Sequence, residues 1–171
     1  LQHDPAGPER VRQWVRTALE LTGSTLDLQH YLMLRRGPYV LGAVFDESIS
    51  RDPVQLDGAF VSLFDPSLAV QRHVTLHPGD VALLYDLNWA REHAPLPAVA
   101  AASTRIRGEV REDGALSFLT RGPVGTVANV QLLVANAPDT IELTPPVPFE
   151  QRYHAGDGAL LLTFENTAAD F

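Results

Sequence analysis

The stretch LDLQHYLMLRRGPYVLGAVF, residues 26–45, decides the fold. Leu26, Leu28, His30, Leu32 and Leu34 share one parity, while Asp27, Gln29, Tyr31 and Met33 share the other. Side chains alternate faces along an extended chain, so this period of two predicts a half-buried β-strand. Arg35-Arg36-Gly37-Pro38 carries turn chemistry, and Tyr39 to Phe45 returns as a second strand. The pair reads as an antiparallel hairpin.

The same pattern continues outward. Leu56 to Phe64, entered through Asp57-Gly58, and Ala69 to Leu76 read as the third and fourth strands. His77-Pro78-Gly79-Asp80 is a tight turn into a fifth, Val81 to Leu87. Asn88 to Pro97, with Pro95 and Pro97, breaks the alternation and reads as a long loop or an internal boundary. Ser103 to Arg111 and Ala115 to Thr120 flank Glu112-Asp113-Gly114 as a hairpin. Thr126 to Ala135, Thr140 to Leu143, Phe149 to Tyr153 and Ala159 to Phe164 follow, the last entered through Gly156-Asp157-Gly158. Before the strands, Pro8 to Leu21 is an amphipathic helix, with Val11, Trp14, Val15, Ala18 and Leu19 on one stripe. A lone helix of this length is marginal in water. The stripe is therefore expected to cover the sandwich or a neighbouring domain, with Trp14 mostly buried.

About ten short strands with Gly/Pro turns predict a mainly β chain, an antiparallel β-sandwich with one N-terminal amphipathic helix. The strands form either one continuous sandwich or two packed β units. In the second case residues 1–24 are helix and linker, 25–98 the first unit and 99–171 the second.

Composition narrows the function classes. The chain has 171 residues, enough for a sizeable core, and a net charge of −8 that argues against a nucleic-acid partner. It has no cysteine, which excludes disulfides and cysteine-based zinc sites. All 13 basic residues are arginine, which points to a GC-rich coding background. The longest apolar runs are too short to span a bilayer, so no membrane partner is expected. The polar start LQHDPAGPER has no signal-peptide pattern and reads as a mature or fragment end.

No motif points to a cofactor. His73 and His77 have the spacing of a helical metal pair but lie on a strand, which separates them by about 13 Å, too far for one ion. His30 reads as a hydrogen-bonded core residue. Gly122-Pro123-Val124-Gly125-Thr126 lacks the Gly-Lys pair of a phosphate loop and reads as a strand entry. Asp46-Glu47 is a carboxylate pair at a strand end, read first as a solvated turn and second as acid/base chemistry or calcium binding. The candidate carbohydrate contacts are Trp89, with Asn88 and Arg91 beside it, and Tyr39 together with Arg35. Aromatic faces stack on sugar C–H groups while polar neighbours bond hydroxyls.

Five segments carry a family likeness: RRGPYVLGAVFDES (35–48), LDGAFVSLFDPSLAV (56–70), HPGDVALLYDL (77–87), FLTRGPVGT (118–126) and LLLTFENTAADF (160–171). Together they resemble the C-terminal β-sandwich accessory regions that follow the catalytic barrel in bacterial glycoside hydrolases. The resemblance implies an immunoglobulin-like second unit and a non-catalytic role, supporting or docking a preceding catalytic domain. It also implies occasional polysaccharide binding and an extracellular or periplasmic setting. No catalytic position transfers. Two other readings stand beside it: a carbohydrate-binding module using Trp89, and a small hydrolase using Asp46 and Glu47. The accessory reading entails an exposed apolar patch near the helix, the binding module a row of exposed aromatics, and the hydrolase polar groups converging in a deep pocket.

Overall fold

A computed structural model describes residues 5–47 and 50–167. It is an antiparallel β-sandwich preceded by a helix. The helix α1 (Gly7–Glu20) leads to β1 (Tyr31–Arg36), β2 (Tyr39–Val44), β3 (Val54–Ser62), β4 (Val70–Leu76) and β5 (Val81–Asp86). A short helix α2 (Leu87–His93) then precedes β6 (Ala98–Ala102), β7 (Arg105–Glu112), β8 (Ala115–Arg121), β9 (Val127–Leu133), β10 (Phe149–His154) and β11 (Ala159–Glu165). The first sheet has the order β1-β2-β5-β3-β4 and the second β10-β11-β9-β6, while β7 and β8 form a separate ribbon. No described helix is long and apolar enough to cross a membrane.

The first sheet is curled. Strand β3 pairs with β4 along Val54–Asp57 and with β5 along Phe60–Ser62, and its register shifts between Asp57 and Phe60. Such a bulge bends a strand and sharpens its twist. Gly58 sits in that shift, where an added Cβ would lie 2.8 Å from the Phe60 ring. The curl brings β4 over β2: at Gly42 a Cβ would lie 2.8 Å from Leu76 Cδ1. Val40, Val44, Phe60, Val74, Leu76, Ala82 and Leu84 fill this concave side, joined by Tyr31 and Met33.

A second cluster joins the sheets. Ala59, Val61, Leu68 and Tyr85 from the first half meet Leu87 and Ala90 of α2 and Ala100, Ala101, Leu133 and Ala159 of the second sheet. Polar clamps reinforce it. Gln131 is only 1% exposed; its Nε2 donates to the Leu68 carbonyl (3.2 Å) and its Oε1 accepts from the Leu160 amide (3.2 Å). Asn129 donates to the Pro66 carbonyl at 2.9 Å and accepts from the Thr163 hydroxyl at 2.7 Å. Buried Asp157, in the β10–β11 turn, binds Arg72 of β4 at 2.7 Å, and Arg91 of α2 donates to the Gly156 carbonyl at 3.2 Å.

Several expectations are corrected. The first strand begins at Tyr31, so Leu26 and Leu28 precede it. Its inward residues are Tyr31 and Met33; the leucine parity faces outward because the concave side of the curl lies on the other face. His30 is half-buried at the rim, with Nε2 3.0 Å from the Asp52 carbonyl, and is not a core residue. Asn88 to His93 is helix rather than loop, and Ala98–Ala102 is an additional strand. Thr140–Leu143 forms no strand, although Ile141 packs against the cluster of Val130, Leu132 and Leu160. The helix stripe does not cover the sandwich: α1 packs along none of the described strands, and Trp14 is 62% exposed in this chain.

Candidate functional site

Arg35 and Tyr39 flank the β1–β2 turn, and the fold brings Trp89 of the distant helix α2 to the same corner. Asp86 is the organiser. It ends β5 and caps α2, its Oδ1 accepting the Trp89 amide at 3.0 Å. Its Oδ2 accepts Arg35 Nη1 at 2.8 Å, and its own amide donates to the Pro38 carbonyl at 2.7 Å. One mostly buried aspartate, through its carboxylate and its amide, thus ties the edge strand, the hairpin turn and the helix start together. The cap also explains why a run of seven residues is helical at all, because it satisfies an orphan amide of the first turn.

The three side chains differ in what they offer. The six-membered edge of the Trp89 indole lies over Gly37, whose φ of 58° closes the hairpin turn. His93 stacks on the indole at 4.1 Å and 7°, and its Nδ1 lies 2.8 Å from the Trp89 carbonyl. Trp89 is therefore half-buried, with one face already covered. The Arg35 guanidinium is engaged with Asp86. Tyr39 is exposed and meets Tyr85 edge-on at 5.4 Å. On the outer side of α2 a shallow depression of about 480 Å3 is lined by Asn88, Arg91 and Glu92.

Removing the organiser has a calculable cost. Asp86→Ala deletes a helix cap and leaves Arg35 without its carboxylate, so we expect a loss of about 2 kcal/mol of stability. Urea unfolding of the two proteins measures it directly; unchanged stability contradicts the role assigned to Asp86.

Tyr85 supplies a pH signature. Its burial, then the neighbouring Tyr39 and Glu109, raise the phenol above its ordinary 10.0. A raised acid favours the folded, protonated form, so its contribution is complete below about pH 10 and is lost as pH rises through the folded value. Tyr85→Phe should therefore flatten the alkaline fall in melting temperature. An identical alkaline limb in both proteins rules this assignment out.

The other sequence candidates lie elsewhere. His73 Nδ1 sits 2.7 Å from the Asp57 carboxylate on the exposed side of β3 and β4, and His77 Nδ1 lies 3.6 Å from Asp80 in the following turn. Asp46 and Glu47 are exposed in the bend after β2. Among the described residues no group of three or more His, Asp or Glu is placed to hold a metal ion.

One sheet face carries exposed apolar residues. Register pairs Leu34 with Leu41 and Leu41 with Leu83, and likewise Leu32 with Ala43 and Ala43 with Val81. Directly paired residues share a face, so these six form two apolar rows across β1, β2 and β5. Phe45 and Tyr39 extend the face along β2. The second sheet packs on this convex side at Val61 and Tyr85. Leu41, Ala43 and Leu83 are half-buried, whereas Leu32 and Leu34 on β1, Val81 at the start of β5, Tyr39 and Phe45 are exposed, Leu34 and Val81 each to 57%. Alternation revealed the leucine parity on β1, but nothing local indicated that this side stays uncovered. No family model matches the chain, and no curated protein or solved structure matches it.

Proposed function

We propose that this chain is a non-catalytic accessory β-sandwich domain of a carbohydrate-active protein, working by packing against another polypeptide and supporting a catalytic domain. The observation that carries the reading is the open apolar face of β1, β2 and β5, together with the uncovered stripe of α1. Exposed contiguous apolar surface of this kind marks protein interaction sites. The carbohydrate-active setting comes from the resemblance of the five quoted segments. Several of those segments hold structural anchors: Asp86 caps α2, Leu68 enters the core between the sheets, and Asn166 bonds Thr126 in the closing strand region. Such residues serve a scaffold.

A carbohydrate-binding role is the second reading, supported by Arg35 and Trp89, which Asp86 joins at one corner beside the depression on α2, with Tyr39 at the same end of the hairpin on the other face of the sheet. Binding of a soluble polysaccharide that Trp89→Ala abolishes would favour it.

The accessory reading predicts that the purified chain does not hydrolyse a panel of aryl glycosides. Hydrolysis that disappears in Asp46→Ala or Glu47→Ala overturns it. A further expectation is that the chain, added to or fused with its catalytic domain, raises that domain's melting temperature.

A further inference from the structure

Strand β1 ends the first sheet, and its outer edge carries unpaired backbone. The Phe45 amide donates to the His30 carbonyl at 2.9 Å, which sets the phase of the β1–β2 ladder. Antiparallel pairs alternate between bonded and non-bonded, so Leu32, Leu34 and Arg36 bond to β2. Tyr31, Met33 and Arg35 turn their amides and carbonyls the other way. Among the described residues these backbone groups have no other partner. Donors and acceptors therefore line the edge at a repeat of about 7 Å. Such an edge is a template for another strand, and sheets guard it with charge, proline or a bulge. Of the four strands that end the two main sheets, three are guarded. β4 carries Arg72 and His73, β10 carries Glu150 and Arg152, and β6 follows Pro97 and breaks register between Val99 and Ala101. β1 opens with the uncharged run Tyr31-Leu32-Met33-Leu34, and its register with β2 is unbroken. Its charges come at the end: Arg35 is held by Asp86, whereas Arg36 is exposed and makes no ion pair among the described residues.

We propose, resting on the reading of this region as a protein docking surface, that β1 takes up an extended segment of a partner polypeptide as a sixth strand of the first sheet. An apolar face alone fits many occupants, but a row of free amides and carbonyls at strand spacing fits extended peptide backbone. A helix bonds those groups within itself. The added strand runs antiparallel, as every other pair in this sheet does. Side chains specify the rest. Leu32, Leu34 and Arg36 share the convex face and are exposed, and directly opposed residues of neighbouring strands share a face. The entering segment therefore carries a carboxylate opposite Arg36 and apolar residues opposite Leu34 and Leu32. Read from its N-terminus, the order is acid-x-apolar-x-apolar, and the amides that bond to β1 belong to the intervening positions.

Amide hydrogen exchange of the intact chain, followed by NMR, tests this with the end-blocked synthetic peptide Thr-Glu-Thr-Leu-Thr-Val-Thr as probe. At about ten times its dissociation constant the probe should slow exchange at Tyr31, Met33 and Arg35 about tenfold, because exchange then proceeds from the free fraction. Leu32 and Leu34, already bonded to β2, should not change. A peptide N-methylated on the two threonines beside leucine should give no protection, whereas one N-methylated on leucine and valine should protect as the parent does. Arg36→Glu should weaken the probe and favour a peptide with lysine in place of glutamate. Protection spread over both parities, equal binding of the two methylated peptides, or no protection at millimolar probe overturns the proposal. So does a wild type that dimerises without probe and protects the same three amides as its concentration rises, because a second copy then fills the edge. The two readings fail separately. An unprotected edge in a chain that still raises the melting temperature of its catalytic domain removes the strand addition and keeps the accessory role. Alternating protection in a chain that hydrolyses aryl glycosides through Asp46 or Glu47 removes the accessory role alone.

Discussion

Gly158→Val should cost about 4 kcal/mol or more, at the extreme of what single substitutions do. Gly158 takes φ 61°, a conformation that is costly for residues with a Cβ and most costly for branched ones. An added Cβ would also lie 2.6 Å from the Val134 carbonyl oxygen, which is backbone and cannot rotate away. The Arg91 guanidinium stands 3.4 Å off on another side. This turn carries Asp157, whose bond to Arg72 holds the second sheet to β4, and the Gly158 carbonyl accepts the Val134 amide at 2.8 Å. Relaxing the collision therefore pulls on the junction between the sheets. Chemical denaturation, or loss of soluble protein on expression, reads the effect. A stability within 1 kcal/mol of wild type, in units where one substitution typically costs about 1, contradicts the turn geometry.

Gln131→Leu should cost about 2 kcal/mol although it replaces a buried polar residue with an apolar one of similar size. The amide's two partners are main-chain groups, the Leu68 carbonyl and the Leu160 amide. Leucine leaves the Leu68 carbonyl unpaired, whereas the Leu160 amide keeps its ladder partner Leu132, and a buried orphan costs roughly 1–3 kcal/mol. Leu68 is held at φ 53° by its loop, in which the Ser67 amide and hydroxyl bind Asp65 and keep that carboxyl below its ordinary 3.8. The Leu68 carbonyl consequently cannot turn to another donor without disturbing the buried Leu68 side chain. Urea melts of Gln131→Leu and Gln131→Glu separate shape from hydrogen bonding. A Leu variant as stable as wild type would mean the amide contributes only volume.

The strands were legible because alternation and turn residues act locally. Leu32, Leu34, Tyr39 and Leu41 sit on strands as their spacing implies. Which face turns inward was not legible on β1, because the curl comes from the register shift at Gly58 and from β4 arching over Gly42, both distant in sequence. Tyr31 and Met33 thus take the core, and the leucines stay out. Helix α2 was hidden by its length: seven residues show too little periodicity, and Pro95 and Pro97 dominate the window. The signal that finds it is Asp86 three residues before Trp89, an N-cap preceding Leu87 and Ala90. The strand Ala98–Ala102 is mostly alanine, which has little strand preference, and forms because β9 pairs with it. At the candidate corner, Arg35, Tyr39 and Trp89 were each marked by chemistry alone. The meeting of Arg35 and Trp89 depends on Asp86, which has no local mark of importance beyond its cap position.

The open face of β1, β2 and β5 is the feature on which the functional account stands, and Leu34 is its exposed residue on the edge strand. On an unused surface, Leu34→Asp changes stability by no more than about 0.5 kcal/mol. On a docking surface, the melting temperature of the wild type rises when its partner domain is added, because association stabilises the folded state by mass action. The direct measurement is the melting temperature of wild type and Leu34→Asp across a hundredfold range of added catalytic domain, about what mass action needs for a clear shift. The account predicts a wild-type temperature that climbs with added domain and a Leu34→Asp temperature that stays flat. Two flat, coincident lines would contradict it.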